Sequence, residues 1–184
     1  MFLPNPNSSS NPIPNPIPAV SAAALPSPGA TPAQRRIAII CSKGGLDEVY
    51  PALILANGAR QSGVECLIFF TFWGLDAITE KKVDHLGVNM AGNPSSPMPT
   101  VLTGLPGMER MAAGMMAKKL KELDIPGPRD MLVMLDDMGC ELYACELAMK
   151  FMDLTEQDLL PQVKGVLTVG DFYDRTEGAT VLFT

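Results

Sequence analysis

Short apolar runs alternate along this chain with longer segments whose apolar positions return every three or four residues, a pattern that predicts strands and helices in turn. Ile37-Ala38-Ile39-Ile40-Cys41 is a continuous, β-branched run suited to a strand buried on both faces. After the turn Ser42-Lys43-Gly44-Gly45, a helix is predicted from Asp47 to Ser62, with Asp47 as N-cap, Pro51 in the early turns and Gly63 as the stop. Val64 to Thr71 reads as a second buried strand, and Trp73-Gly74-Leu75 opens a short helix ending near Lys82. Met108, Met111 and Met115 share one face of a helix reaching Leu123, and Met131, Met134 and Met138 share one face of the next; both stripes read as core packing rather than as a partner-binding groove. Three further strands are predicted at Glu141–Cys145, Val166–Val169 and Thr180–Phe183. Strand, helix, strand at these spacings implies right-handed parallel crossovers. The expected class is α/β: a three-layer α/β/α sandwich around a mostly parallel five-stranded sheet.

Two segments stand outside this alternation. Residues 1–34 carry nine prolines, no charged side chain and the near-repeat Asn11-Pro12-Ile13-Pro14-Asn15-Pro16-Ile17-Pro18. Proline fixes φ and removes amide donors, so the arm is expected to be extended, polyproline-like and disordered, leaving 35–184 as the folded domain. Leu86 to Met108 is free of charge but broken by Pro94, Pro97, Pro99 and Pro106, which rules out a membrane-spanning helix. It remains a surface that a partner or, peripherally, a membrane could receive.

Composition narrows the partners. Twenty acidic against 14 basic side chains leave a net charge of −6, with no electrostatic footprint for nucleic acid. Four cysteines, at positions 41, 66, 140 and 145, show no CxxC spacing, and His85 is the only histidine, so neither a metal site nor a cofactor is expected. The chain does not open on a secretory signal pattern, which predicts a cytoplasmic protein with reduced thiols.

Cys145 is the candidate nucleophile. It ends a predicted strand where a helix begins, and the unpaired amides of a helix start favour thiolate over thiol; the competing reading is a small buried apolar group. The carboxyl ends of parallel strands form the rim where binding crevices lie. That rim gathers Cys41 and Lys43, then Trp73, then Cys145, and finally Asp171 with Phe172 and Tyr173. Cys41 is expected on a strand neighbouring that of Cys145, as its companion thiol, with Lys43 favouring a thiolate and Gly44 and Gly45 offering amides to an anion. Cys140 and Cys145 are about 16 Å apart along an extended segment, too far for a disulfide. Cys66, at the opposite edge from the rim, reads as silent packing.

These residues resemble a known family. Cys41-Ser42-Lys43-Gly44, Asp47 with Tyr50-Pro51-Ala52-Leu53-Ile54-Leu55-Ala56-Asn57, Phe69-Phe70-Thr71-Phe72-Trp73-Gly74-Leu75, Leu142-Tyr143-Ala144-Cys145 and Gly170-Asp171-Phe172 are similar to segments of the DsrE-like (DsrE/DsrF-like) sulfur-transfer proteins, in the branch labelled peroxiredoxin-like. The resemblance spans 35–184. It implies the same three-layer fold, assembly as homo-oligomers, and a sulfur carrier or sulfurtransferase whose acceptor cysteine, matched by Cys145, takes sulfane sulfur as a persulfide. It implies a TusA-like sulfur carrier and a rhodanese-like sulfurtransferase as partners.

Two other readings stay open at this stage. A thiol peroxidase or disulfide reductase would use Cys145 with Cys41 resolving, although a peroxiredoxin's threonine three residues before the cysteine is here Leu142. A small anion- or nucleotide-binding module would use the Ser-Lys-Gly-Gly turn, which lacks the spacing of a phosphate-binding loop.

Overall fold

Five strands carry the apolar runs: β1 (Arg36–Cys41), β2 (Glu65–Phe70), β3 (Glu141–Cys145), β4 (Val163–Leu167) and β5 (Thr180–Phe183). They form one sheet in the order β4-β3-β2-β1-β5, and every neighbouring pair is parallel. This computed structural model describes residues 35–88 and 107–184. The proline-rich arm 1–34 and positions 89–106 of the predicted apolar loop lie outside the described residues.

The helices are α1 (Leu46–Gln61), α2 (Met108–Glu122), α3 (Pro128–Asp137), α4 (Glu146–Phe151) and α5 (Val169–Arg175), with 3-10 turns at Phe72–Ile78, Val83–His85 and Glu156–Asp158. Side chains alternate across a strand. Register therefore places Ile39, Ile68 and Leu142 on one face, where α1 and α3 pack together, and Ala38, Phe69, Tyr143 and Cys145 on the other. On that second face Phe172 of α5 stacks on Phe69 with ring centroids 4.8 Å apart, and the Arg175 guanidinium lies 4.9 Å over the Tyr143 ring. The sandwich has its three layers, with a fully parallel sheet.

Several local expectations are corrected. α1 is capped by Gly45, not Asp47: the Gly45 amide donates to the Glu48 carboxylate at 3.3 Å, so the acidic group three residues on closes the first turn. Gly63 does stop the helix, at φ +69°. β4 begins three residues earlier than expected because Lys164 is the extra residue of a bulge: Leu142 pairs with Val163 and Tyr143 with Gly165. The Lys164 ammonium reaches Asp136 of α3 at 2.6 Å. The methionine stripe of α3 joins the core, with Met131 buried, but Met111 and Met115 of α2 are exposed while Ala113, Met116 and Leu120 turn inward. Among the described residues no helix is long and apolar enough to cross a membrane.

Candidate functional site

The strand order decides which rim residues meet. β2 lies between β1 and β3, so Cys41 and Cys145 end strands roughly 10 Å apart, and alternation puts their side chains on opposite faces of the sheet. The expectation that their strands neighbour one another is thus overturned, and with it the role of Cys41 as resolving thiol. Cys41 is fully buried, its S–H donates to the Lys43 carbonyl at 3.7 Å, and burial pushes its pKa up to about 11. It is held as a neutral thiol.

Lys43, Gly44 and Trp73 do come together, around a shallow depression of about 470 Å³ that also takes in Glu48 and Asp76. Its chemistry disfavours an anion. Lys43 Nζ is 3.8 Å from the Glu48 carboxylate, Asp76 is paired with Lys82 at 2.6 Å, the Gly45 N–H donates to Glu48 and the Leu46 N–H to the Gly87 carbonyl at 2.7 Å. Gly44 answers to packing instead, since a Cβ there would strike the Trp73 carbonyl. The anion-cradle reading loses the Gly45 amide, and two carboxylates flank the Lys43 ammonium and the turn.

Asp171 also has another occupation. The segment Thr168-Val169-Gly170-Asp171 is a capping box, in which the Asp171 carboxylate accepts from the Thr168 amide at 3.0 Å and the Thr168 hydroxyl at 2.7 Å, while the Asp171 amide donates back to Thr168 Oγ1 at 3.2 Å. These bonds from Thr168 hold the Asp171 carboxyl below its ordinary value of 3.8. A carboxylate depressed in the folded state adds stability that is complete above the unfolded pKa and lost as pH falls through the folded one. Wild type should therefore exceed Asp171→Asn in stability near neutrality, and urea titrations should show that margin disappearing as pH drops below the usual aspartate range. A margin independent of pH would refute the cap's role.

Cys145 ends β3 and is the N-cap residue of α4, with extended backbone angles of φ −80° and ψ 120°. Its sulfur makes no hydrogen bond to the helix start, and its relative exposure is 5%. It lies opposite Leu167 of β4. The segments leaving β2, β3 and β4 carry exposed Phe72, Trp73, Leu147, Phe151 and Val169, so the mouth of the sheet has an apolar apron. Phe72 and Phe151 meet edge to face at 6.1 Å and join the exits of β2 and β3. Phe72 holds φ +45°, a left-handed conformation that costs a bulky residue about 1–3 kcal/mol and is found preferentially at functional sites. Composition gave no sign of this strain. His85 is exposed at the far end of its 3-10 turn, and no cluster of three or more metal-ligating side chains occurs among the described residues.

Comparison with known proteins adds kinship to this geometry. A family model described as DsrE/DsrF/DrsH-like matches residues 33–183. The sulfur carrier protein DsrE2 of Allochromatium vinosum is 32% identical over 139 residues, covering 71% of this chain and 86% of that protein. The uncharacterized protein YrkE of Bacillus subtilis is 27% identical over 157 residues, covering 81% and 96%. Among solved structures, the ychN protein of E. coli superposes with a TM-score of 0.51 at 15% identity, over 82% of this chain and 99% of that one, a likeness of fold.

Proposed function

The chain belongs to the DsrE/DsrF/DrsH-like family, and from that premise we propose that it is a sulfur carrier, holding sulfane sulfur as a persulfide on Cys145 and passing it to a cysteine of a partner protein. The observation that carries this reading is the place of Cys145: at the carboxyl end of β3, at a helix start, inside an apolar apron suited to a protein partner. The similarity to a protein named as a sulfur carrier supports it.

The chemistry asks little of the protein. In loading, the Cys145 thiolate attacks the outer sulfur of a donor persulfide, forming one S–S bond as the donor thiolate leaves. In unloading, an acceptor thiolate takes that outer sulfur and Cys145 departs as thiolate. Each step breaks one S–S bond and makes one, with no net gain or loss of electrons. What matters is access and position, and the reading carries with it a rhodanese-like donor, a TusA-like acceptor, a cytoplasmic setting and self-association of the chain. Exposed Val181 and Phe183 on edge strand β5 are apolar surface suited to that association.

In this reading access is controlled at the rim: Cys145 is largely covered, and a partner parts the Phe72–Phe151 contact that joins the exits of β2 and β3 before its own sulfur approaches. An aromatic pair of this kind contributes about 0.5–1.5 kcal/mol, so Phe151→Ala should speed alkylation of Cys145 by iodoacetamide, by roughly tenfold at most. An unchanged rate would mean that the pair does not gate the thiol. The reading as a whole is tested by exposing the reduced protein to polysulfide and mapping the added sulfur by peptide mass: it is expected on the peptide containing Cys145, and its appearance elsewhere would relocate the site.

A further inference from the structure

Two cysteines remain at the opposite end of the sheet, where the sulfur-transfer reading gives them nothing to do. β2 and β3 pair with Leu67 opposite Glu141, so one residue earlier Cys66 faces Cys140, on the side of the sheet that α1 covers. Adjacent strands run about 4.8 Å apart, which places the two Cα atoms within the 4.4–6.8 Å that a disulfide spans. Both thiols are free and buried.

Arg60, from α1, is fixed across the pair. Its Nε donates to the Met138 carbonyl at 2.8 Å and its Nη1 to the Val64 carbonyl at 3.1 Å, which are the carbonyls two residues before each cysteine. The guanidinium thus ties the starts of β2 and β3 together beside the sulfurs. The neighbouring Cys140 thiol, with the Arg60 charge, holds the Cys66 pKa below its ordinary value against the effect of burial. Such a pair can supply one thiolate to attack while its neighbour keeps a proton, the asymmetry that a dithiol needs.

We propose that Cys66 and Cys140 form a second thiol site, a redox-active dithiol that a small hydroperoxide closes to an intramolecular disulfide independently of sulfur loading at Cys145. The Cys66 thiolate attacks a peroxide oxygen; the O–O bond breaks, Cys66 becomes a sulfenic acid, and the departing oxygen takes up a proton. Cys140, giving up its proton, then attacks the Cys66 sulfur, so that the S–S bond forms as the S–O bond breaks and water leaves. The peroxide gains the two electrons that the two thiols lose. Relative exposures of 4% and 0% restrict the oxidant to a small one, because a bulky disulfide cannot reach either sulfur. The strands already bring the partners together, so closure asks for side-chain rotation rather than strand movement.

The test uses the full chain, reduced and then treated with hydrogen peroxide, unfolded in excess iodoacetamide and analysed by mass. The expected result is an intact protein carrying two carbamidomethyl groups where the reduced chain carries four, a cross-linked peptide joining Cys66 to Cys140, reversal by dithiothreitol, and a higher urea midpoint for the oxidised form, since the bond closes a long loop. Cys66→Ala and Cys140→Ala should each abolish the cross-link, whereas Cys145→Ser should retain it and Cys41→Ser should too. Should a buried alanine variant fail to fold, the wild-type peptide map decides alone. Full alkylation of Cys66 and Cys140 after peroxide, or a cross-link through Cys41 or Cys145, would overturn the proposal. Retention of the cross-link in Cys145→Ser separates its fate from that of the carrier reading.

Discussion

Cys145→Ser is expected to bring persulfide loading to background, while Cys41→Ser loads as wild type does. A hydroxyl forms no persulfide, so the first outcome follows if Cys145 is the acceptor. The second follows from the surroundings of Cys41. With its pKa raised by burial to about 11, about one Cys41 in ten thousand is ionised at pH 7, and the sulfur faces the opposite side of the sheet from Cys145. Only the thiolate attacks sulfane sulfur at a useful rate, so Cys41 is slow even before its burial is counted. Intact-mass analysis after polysulfide treatment reads both variants directly. Undiminished loading of the Cys145 variant, or its loss in the Cys41 variant, would remove the carrier assignment. The serine at position 145 also replaces a thiol in a nearly closed site, so urea unfolding should accompany the assay; a loss of about 1–3 kcal/mol is the expected cost of an unsatisfied hydroxyl there, too small to unfold an ordinary domain.

Individual strands were legible in the sequence because each is an apolar run with clear punctuation. Glu141–Cys145 and Thr180–Phe183 were read to the residue, and β1 and β2 to within a residue at each end. β4 was placed late because Lys164-Gly165 looks like a turn, whereas the bulge lets Lys164 leave the ladder and pair with Asp136. Strand order was beyond the pattern. Nothing local says that β2 separates β1 from β3, and that one fact parts Cys41 from Cys145 while bringing Cys66 opposite Cys140. The same blindness made Cys66 look silent. Asp171 is a different case, since its signal was present: Thr168-Val169-Gly170-Asp171 has the spacing of a capping box, which explains the carboxylate without a ligand. At the glycine turn, the alternative of an anion-binding loop competes with local needs that the pattern does not show: the Gly45 amide serves the start of α1, and the missing side chain of Gly44 makes room for Trp73.

Gly74→Ala should destabilise the protein by about 3 kcal/mol or more, beyond the usual cost of one extra methyl in a packed interior. A Cβ at Gly74 would run into the Cys41 carbonyl, with the carbonyl carbon only 2.8 Å away. The obstacle is backbone, so no rotamer change relieves it. Nor can that carbonyl move, because it accepts the Thr71 amide at 3.0 Å and is followed by Ser42, whose amide donates to the Thr184 carbonyl at 3.1 Å. Thr184 is itself held by its amide to the Ile40 carbonyl at 2.9 Å. The clash is therefore shared among the exits of β1, β2 and β5, the same rim that positions Phe72 and Trp73. Gly114→Ala supplies the contrast: it lies inside α2 with nothing near its missing Cβ, and the substitution should stabilise by roughly 1 kcal/mol through helix propensity alone. Urea midpoints of the two variants should move in opposite directions. If Gly74→Ala unfolds where wild type does, the rim is looser than this packing requires, and the strain at Phe72 is not held by the exits of β1 and β2.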